Sequence, residues 1–275
     1  MRAGVLIAGV VASLVGAVAT EQIRQRAPRA TYGNRDLRYA TLDDFDGSFQ
    51  FCRAVFRRAS NGDGGTWSAD FPRADQNLSV RLSELTKTPV GFHPDGEPRH
   101  LLINLADPAL SHCPFLMMTE VGALYLDQRE AAGLRDYLLK GGFLWADDFW
   151  GNFAWEFFEN QMRQVLPSKQ YPIVDVPLEH PVFHSLMAFS RIPQIPSINF
   201  WLGSGGGTSE RGPDSATPHA RAIYDDHGRI MVFITHNTDF GDSFEREGDS
   251  REYFLRFSVE GYGVGVNVLL YSMTH

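Results

Sequence analysis

The chain has 275 residues, with 33 acidic and 25 basic side chains, a net charge of −8 and 43% hydrophobic content. Those proportions exclude a disordered chain and supply enough apolar surface for a full core. They also exclude a general nucleic-acid binder, which needs a basic face to displace counterions. Two cysteines, Cys52 and Cys113, are too few for a disulfide framework or a zinc site. They are read as free, buried thiols, with a single bridge as the alternative.

Met1 and Arg2 lead into an uncharged apolar run over 3–19 that closes on the small-x-small triplet Ala17-Val18-Ala19. The run is slightly short of the ~20 residues that cross a bilayer untilted. Arg24, Arg26 and Arg29 follow it closely. Residues 1–20 are therefore expected to form one hydrophobic helix, kept as a membrane anchor with the domain in the periplasm. Cleavage near Ala19 with release of the domain, and an inverted anchor with a cytoplasmic domain, are the alternatives. Gly4, Gly9, Ala12, Ser13 and Gly16 give that helix a small-residue face suited to a partner helix. Residues 21–36 read as a linker and 37–275 as the folded domain.

Arg53, Arg57 and Arg58 read as a solvated helix face. The glycine-rich stretch 61–65 reads as a turn or mobile loop. Residues 75–86 have the leucine spacing of a helix, and 100–105 and 114–119 are short apolar runs typical of buried strands. Asp127 and Glu130 form a capping-box pattern before a helix that Lys140-Gly141 ends. The strand 143–146 follows at once and stops at Asp147-Asp148, which completes a βαβ unit and implies parallel strands. Residues 152–166 form another helix, 220–224 and 230–236 a hairpin-like pair, and 252–273 a closing helix despite Gly261, Gly263 and Gly265. The fold class expected is α/β, doubly wound, with a mostly parallel sheet behind the N-terminal hydrophobic helix.

Several runs resemble a known family in register. They are Asp70-Phe71-Pro72-Arg73-Ala74-Asp75, Asp107-Pro108, Pro114-Phe115-Leu116, Gly141-Gly142-Phe143-Leu144 through Asp147-Asp148, His180-Pro181-Val182-Phe183-His184, Asn237 and Asp239-Phe240-Gly241-Asp242. Together they are similar to the bacterial domain-of-unknown-function family 4159 from about Leu37 to the C-terminus. The resemblance implies a flavodoxin-like sheet related to class I glutamine amidotransferases, and it implies no reaction.

A nucleophilic enzyme on such a sheet needs a Cys or Ser on the sharp turn after a central strand. The run to Met118 leads instead into Thr119-Glu120-Val121-Gly122, and Cys113 lies at the wrong end of it. Candidate ligand or metal residues are Asp147 and Asp148 at a strand end, His180 and His184 four apart, and Asp239 and Asp242. The structural alternative makes His180 a cap ahead of Pro181, with Phe183 buried beside it. Trp145, Trp150, Trp155 and Trp201 are read as core before stacking surfaces. The glycine run 204–208 lacks the lysine and context of a P-loop and reads as a flexible loop. The apolar, Pro-containing run 192–201 reads as a docking loop or a packed crossover.

The function expected is a non-catalytic, membrane-tethered accessory subunit that docks on a larger membrane protein complex, with no cofactor. The alternative is a hydrolase or binding protein dependent on a divalent metal or another ligand, centred on Asp147, Asp148, His180 and His184.

Overall fold

The computed structural model describes residues 28–275. The hydrophobic run and most of the expected linker lie outside the described residues. The end of that linker forms a small antiparallel pair, β1 (Thr31–Tyr32) with β2 (Arg35–Asp36). Among the described residues no helix is long and apolar enough to cross a membrane.

In chain order there follow β3 (Phe51–Val55), β4 (Arg57–Arg58), α1 (Arg73–Leu85), β5 (His100–Asn104), β6 (Leu116–Thr119), β7 (Leu124–Tyr125) and α2 (Gln128–Leu139). Then come β8 (Leu144–Asp147), α3 (Gly151–Val165), β9 (Val174–Asp175), α4 (Ile198–Gly203), β10 (His219–Tyr224) and β11 (Ile230–His236). The chain ends with α5 (Phe240–Glu245), α6 (Arg251–Tyr253) and α7 (Val259–Thr274), a π-turn over Phe254–Ser258 joining the last two.

Seven strands build the main sheet in the order β5-β3-β6-β8-β11-β10-β9. The five from β5 to β11 are parallel, and β10 and β9 add an antiparallel edge. Alternate strand residues feed two cores, as the period of two requires. In β6 and β8, Leu116, Met118, Leu144 and Ala146 face the core under α2 and α3. Met117 and Trp145 face the core under α1, α5 and α7. Helices thus cover both faces, the arrangement expected of a doubly wound sheet.

Local signals explain the best-defined elements. Asp127 accepts from Glu130 N at 3.0 Å while Glu130 Oε2 accepts from Asp127 N at 2.8 Å, so the capping box holds α2 at its start. The glycines of α7 are not helix breakers but close-approach points. A Cβ at Gly261 would lie 2.0 Å from Ser243 Oγ, and one at Gly265 would lie 2.8 Å from Leu78 Cδ1 and Phe244 Cζ.

One expectation is corrected here. Cys52 and Cys113 are joined in a disulfide, their Cα atoms 6.0 Å apart across 61 residues of sequence. Adjacent parallel strands bring the turn before β6 alongside β3, a proximity with no local signal. The run 192–201 packs as a crossover, one of its two readings, with Ile195, Ile198 and Trp201 buried. The stretch 204–208 caps α4, with Gly206 N donating to Trp201 O at 2.8 Å.

Candidate cation site at the carboxyl edge of the sheet

Four non-glycine residues among those described have positive φ: Asp70 (60°), Glu120 (56°), Asp148 (55°) and Asn237 (61°). Glu120 directly follows β6, Asp148 follows β8 and Asn237 follows β11. A left-handed residue costs roughly 1–2 kcal/mol unless it is glycine, with Asn and Asp the best tolerated. The strain is therefore concentrated where parallel α/β sheets present their ligands.

Asp70 closes the loop that enters α1, and Arg53 positions that loop. Arg53 is fully buried in β3, with Nε 2.9 and 3.0 Å from the two Asp75 carboxylate oxygens. Its Nη1 donates to the carbonyls of Trp67 at 3.2 Å and Ala69 at 3.1 Å, fixing the backbone just before Asp70. Arg53 is thus no part of a solvated helix face; it is an interior residue of a strand. Arg57 pairs with Asp127 and Glu130. Arg58 alone of the three is exposed, donating from Nε to Gly64 O at 2.7 Å.

The Asp70 carboxylate has no such partner. Its Oδ2 is enclosed and meets no hydrogen-bond donor. One carboxylate oxygen each from Asp70, Asp148 and Asp239 lie within 4.8 Å of one another. Asp148 Oδ1 accepts from Trp150 Nε1 at 3.1 Å, and Asp239 Oδ1 accepts from Asp242 N at 2.7 Å as the N-cap of α5. Burial, first of all, holds the three carboxyls well above the usual carboxylate range. The charge of Asp242 adds to this at Asp70, that of Glu120 at Asp148, and that of Asp148 at Asp239.

Neighbouring acids behave differently. Asp147 is saturated: it accepts from Thr235 Oγ1, from Phe240 N at 2.8 Å and from Gly241 N at 3.2 Å, tying the end of β8 to the start of α5. Its pKa is pushed up to about 7 by burial, which those donors only partly oppose. A second acidic group, Asp70, Asp242 and Glu245, meets the same 4.8 Å limit. It already holds a cation, because Arg246 Nε lies 2.8 Å from Glu245 Oε2 and 3.6 Å from Asp242 Oδ1. Asp242 Oδ2 also accepts from Ile198 N at 2.6 Å and Tyr253 Oη at 3.2 Å.

The structure does not bring His180 and His184 to these acids. His180 caps the 3-10 turn Pro181–Phe183, its Nδ1 accepting from Val182 N at 3.2 Å, and its ring packs at a tilt against Tyr271, centroids 5.3 Å apart. Tyr271 Oη in turn accepts from Ile230 N at 3.2 Å, at the start of β11. Asp239 lies beyond the other end of that seven-residue strand, roughly 20 Å away at ~3.3 Å per residue. His184 is exposed, with Nε2 2.7 Å from Leu178 O.

The turn after β6 carries Glu120 where a nucleophile would stand. Its carboxylate accepts from Gly65 N at 2.8 Å, and burial raises its pKa. Thr119 Oγ1 is buried without a partner and therefore without a base to activate it. The stretch 61–65 is not a mobile loop, because it is seated on this turn: a Cβ at Gly64 would lie 2.8 Å from Glu120 O, and one at Gly65 would lie 3.0 Å from Glu120 Oε1. Of the tryptophans, Trp145, Trp150 and Trp201 are buried, and Trp155 packs partly buried against the core.

The family model described as "Domain of unknown function (DUF4159)" matches residues 55–273. The chain belongs to that family. A search of curated proteins finds no match. The match covers every residue of the acidic site, so the strained strand ends lie inside the family's domain.

Asp70 was not among the ligand candidates. The one trace of it in the sequence is its place in the Asp70-Phe71-Pro72 run, because neither its enclosure nor its proximity to Asp148 has a local signature.

Proposed function

We infer that this member of the family is an exported binding domain whose acidic cleft at the carboxyl edge takes a cationic ligand, and that it is not a nucleophilic hydrolase. The observation that carries this reading is the convergence of Asp70, Asp148 and Asp239 within 4.8 Å. No described cationic side chain hydrogen-bonds or ion-pairs with any of the three. Burial without a counter-ion costs the folded state whether these acids stay charged or take up protons, because each gives up the ionised, hydrated form it has in the unfolded chain at neutral pH. A fold that served only itself would satisfy these acids as it satisfies Asp147.

The Cys52–Cys113 bridge supports export, because disulfides persist in oxidising compartments. It also keeps the membrane-tethered accessory subunit as a second reading, in which the ligand-bound domain docks on a membrane complex. The metal-dependent hydrolase remains the rival, with Glu120 rather than a thiol or hydroxyl beside the acids.

Thermal unfolding of the full chain, scanned against divalent metal chlorides and polyamines after dialysis against chelator, tests the reading. A melting temperature that rises with ligand concentration is expected for at least one cation class. Flat melting curves for every cation would refute it. Amide or ester turnover that disappears in Glu120→Gln would move the chain to the hydrolases.

A further inference from the structure

We propose that Asp70, Asp148 and Asp239 bind one hard divalent cation, of the calcium, magnesium or manganese class, with the unpartnered Asp70 Oδ2 as its innermost ligand. The inference rests on the cationic-ligand reading above and specifies its ligand.

The geometry suits an ion. Metal–oxygen bonds of ~2.1–2.5 Å place two ligand oxygens on one ion roughly 3–5 Å apart. The three carboxylates meet that condition, with one oxygen from each inside 4.8 Å of the others. The hydrogen bonds from Trp150 Nε1 and Asp242 N use Oδ1 of Asp148 and of Asp239, which leaves Oδ2 of each free to ligate.

Enclosure selects against a bulkier cation. Asp70 Oδ2 is buried away from solvent. A Cβ at Gly241 would lie 2.2 Å from that same oxygen, so even a methyl group does not fit there. An alkylammonium needs room for its carbon chain as well as for its charge, whereas a bare ion needs only the space between the oxygens.

The donor set selects the metal. The three side chains offer only carboxylate oxygens, and both candidate histidines lie toward the opposite edge of the sheet. Oxygen-only sites favour magnesium, calcium and manganese, while zinc and copper favour imidazole and thiolate. Arg246 already lies against Asp242 and Glu245, so the second acidic group has a cation of its own.

The ligands are also held from behind, as metal ligands are in built sites. Arg53 holds the carbonyls of Trp67 and Ala69 ahead of Asp70, Trp150 holds Asp148, and Asp239 is fixed as the cap of α5.

Calorimetric titration of the chelator-treated full chain with calcium, magnesium and manganese chlorides, and in parallel with spermidine, decides the matter. The expected result is one ion per chain with a Kd of about 1 mM or tighter. Asp70→Asn and Asp239→Asn should each weaken binding at least tenfold, while circular dichroism confirms that the variants fold. Glu245→Gln and the exposed-turn variant Asp226→Asn should bind like the parent. Spermidine binding without metal binding would overturn the ion and leave the cationic cleft standing, whereas no binding by either would overturn both. Metal binding indifferent to Asp70→Asn and Asp239→Asn, or lost in Glu245→Gln, would place the ion elsewhere and overturn this assignment. Should Asp70→Asn not fold, Asp148→Asn takes its place, with the same two outcomes.

Discussion

Arg53 and Asp75 form a fully enclosed ion pair between β3 and α1, and the same guanidinium grips two carbonyls of the strand-to-helix loop. Breaking such a pair leaves a buried charge unpaired, which costs about 3–5 kcal/mol. Arg53→Met alone should therefore lower the urea midpoint sharply. Adding Asp75→Leu should recover most of the loss, since the second charge is then gone as well. Cation affinity should stay weakened in the double variant, because the carbonyls that position Asp70 remain ungripped. Equal destabilisation by the single and double variants would contradict this account.

Closing a loop across the 61-residue separation of Cys52 and Cys113 corresponds to about 4 kcal/mol in the chain-entropy model. The double variant Cys52→Ser with Cys113→Ser should be less stable than the oxidised parent by that order in equilibrium unfolding. Thiol titration of the unfolded parent should find no free thiol unless reductant is added. Two reactive thiols in freshly purified protein would show that the bridge does not form.

Gly241→Ala tests the Asp70 position without removing any carboxylate. The added methyl would sit 2.2 Å from Asp70 Oδ2, so the carboxylate has to swing away. Displacing a ligand in this way should weaken the cation by about tenfold or more, the scale at which perturbing metal-site support is felt. Thermal stability in chelator should change little by comparison. Undiminished affinity would mean that Asp70 Oδ2 is not the innermost ligand.

His236 supplies a pH dependence of opposite sign to that of the buried acids. It is buried, its Nε2 3.0 Å from Gly151 O and its Nδ1 3.3 Å from Arg221 Nη1, with His219 stacked alongside. Burial foremost, helped by the charges of Arg221 and His219, lowers its pKa from 6.5 to about 4, while Gly151 O and Asp214 oppose the shift. Between those values the unfolded chain binds the proton that the folded chain refuses. Stability from this group is thus fully present above about pH 6.5 and lost as pH falls toward 4, by about 3 kcal/mol at most. The buried acids Asp70, Asp147, Asp148 and Asp239, their carboxyls raised by burial, work in the opposite direction over the same range, so the test is differential: from pH 7 to pH 4.5 the urea midpoint of His236→Gln should fall less, or rise more, than that of the parent. An equal change in both would assign the acid sensitivity to other groups.

The sheet was legible because its signals are local. Leucine spacing in α1, the Asp127–Glu130 box of α2 and the apolar runs of β5, β6 and β8 each lie within a few residues, and the elements form where they imply. Arg53 was misread for the same reason: three nearby arginines look solvated until Asp75, 22 residues on, folds across to enclose one of them. The Cys52–Cys113 bridge was likewise hidden, since it depends on strand order. At the site, Asp147 ends β8 with Asp148 directly after it, where the strand-like run stops, while Asp239 and Asp242 come in at the start of α5 beside them. Which of them is satisfied and which is left bare depends on Thr235, Trp150 and Arg246, and no spacing rule encodes those contacts. The four-residue interval between His180 and His184 suggested one helical face, but Pro181 starts a 3-10 turn there instead.

The glycines of α7 make the chain's last helix a keel that seats only on a finished hull. With Ser243 against Gly261, and Leu78 and Phe244 against Gly265, it rests on residues from α5 and α1 that must already be in place. Cutting the chain short of Val259 would therefore strip the cover from one face of the sheet and bare Phe244 and Leu78, next to the helix that Asp239 caps. Anything that loosens this closing segment reaches the acidic cleft through α5, which α7 covers and Asp239 caps.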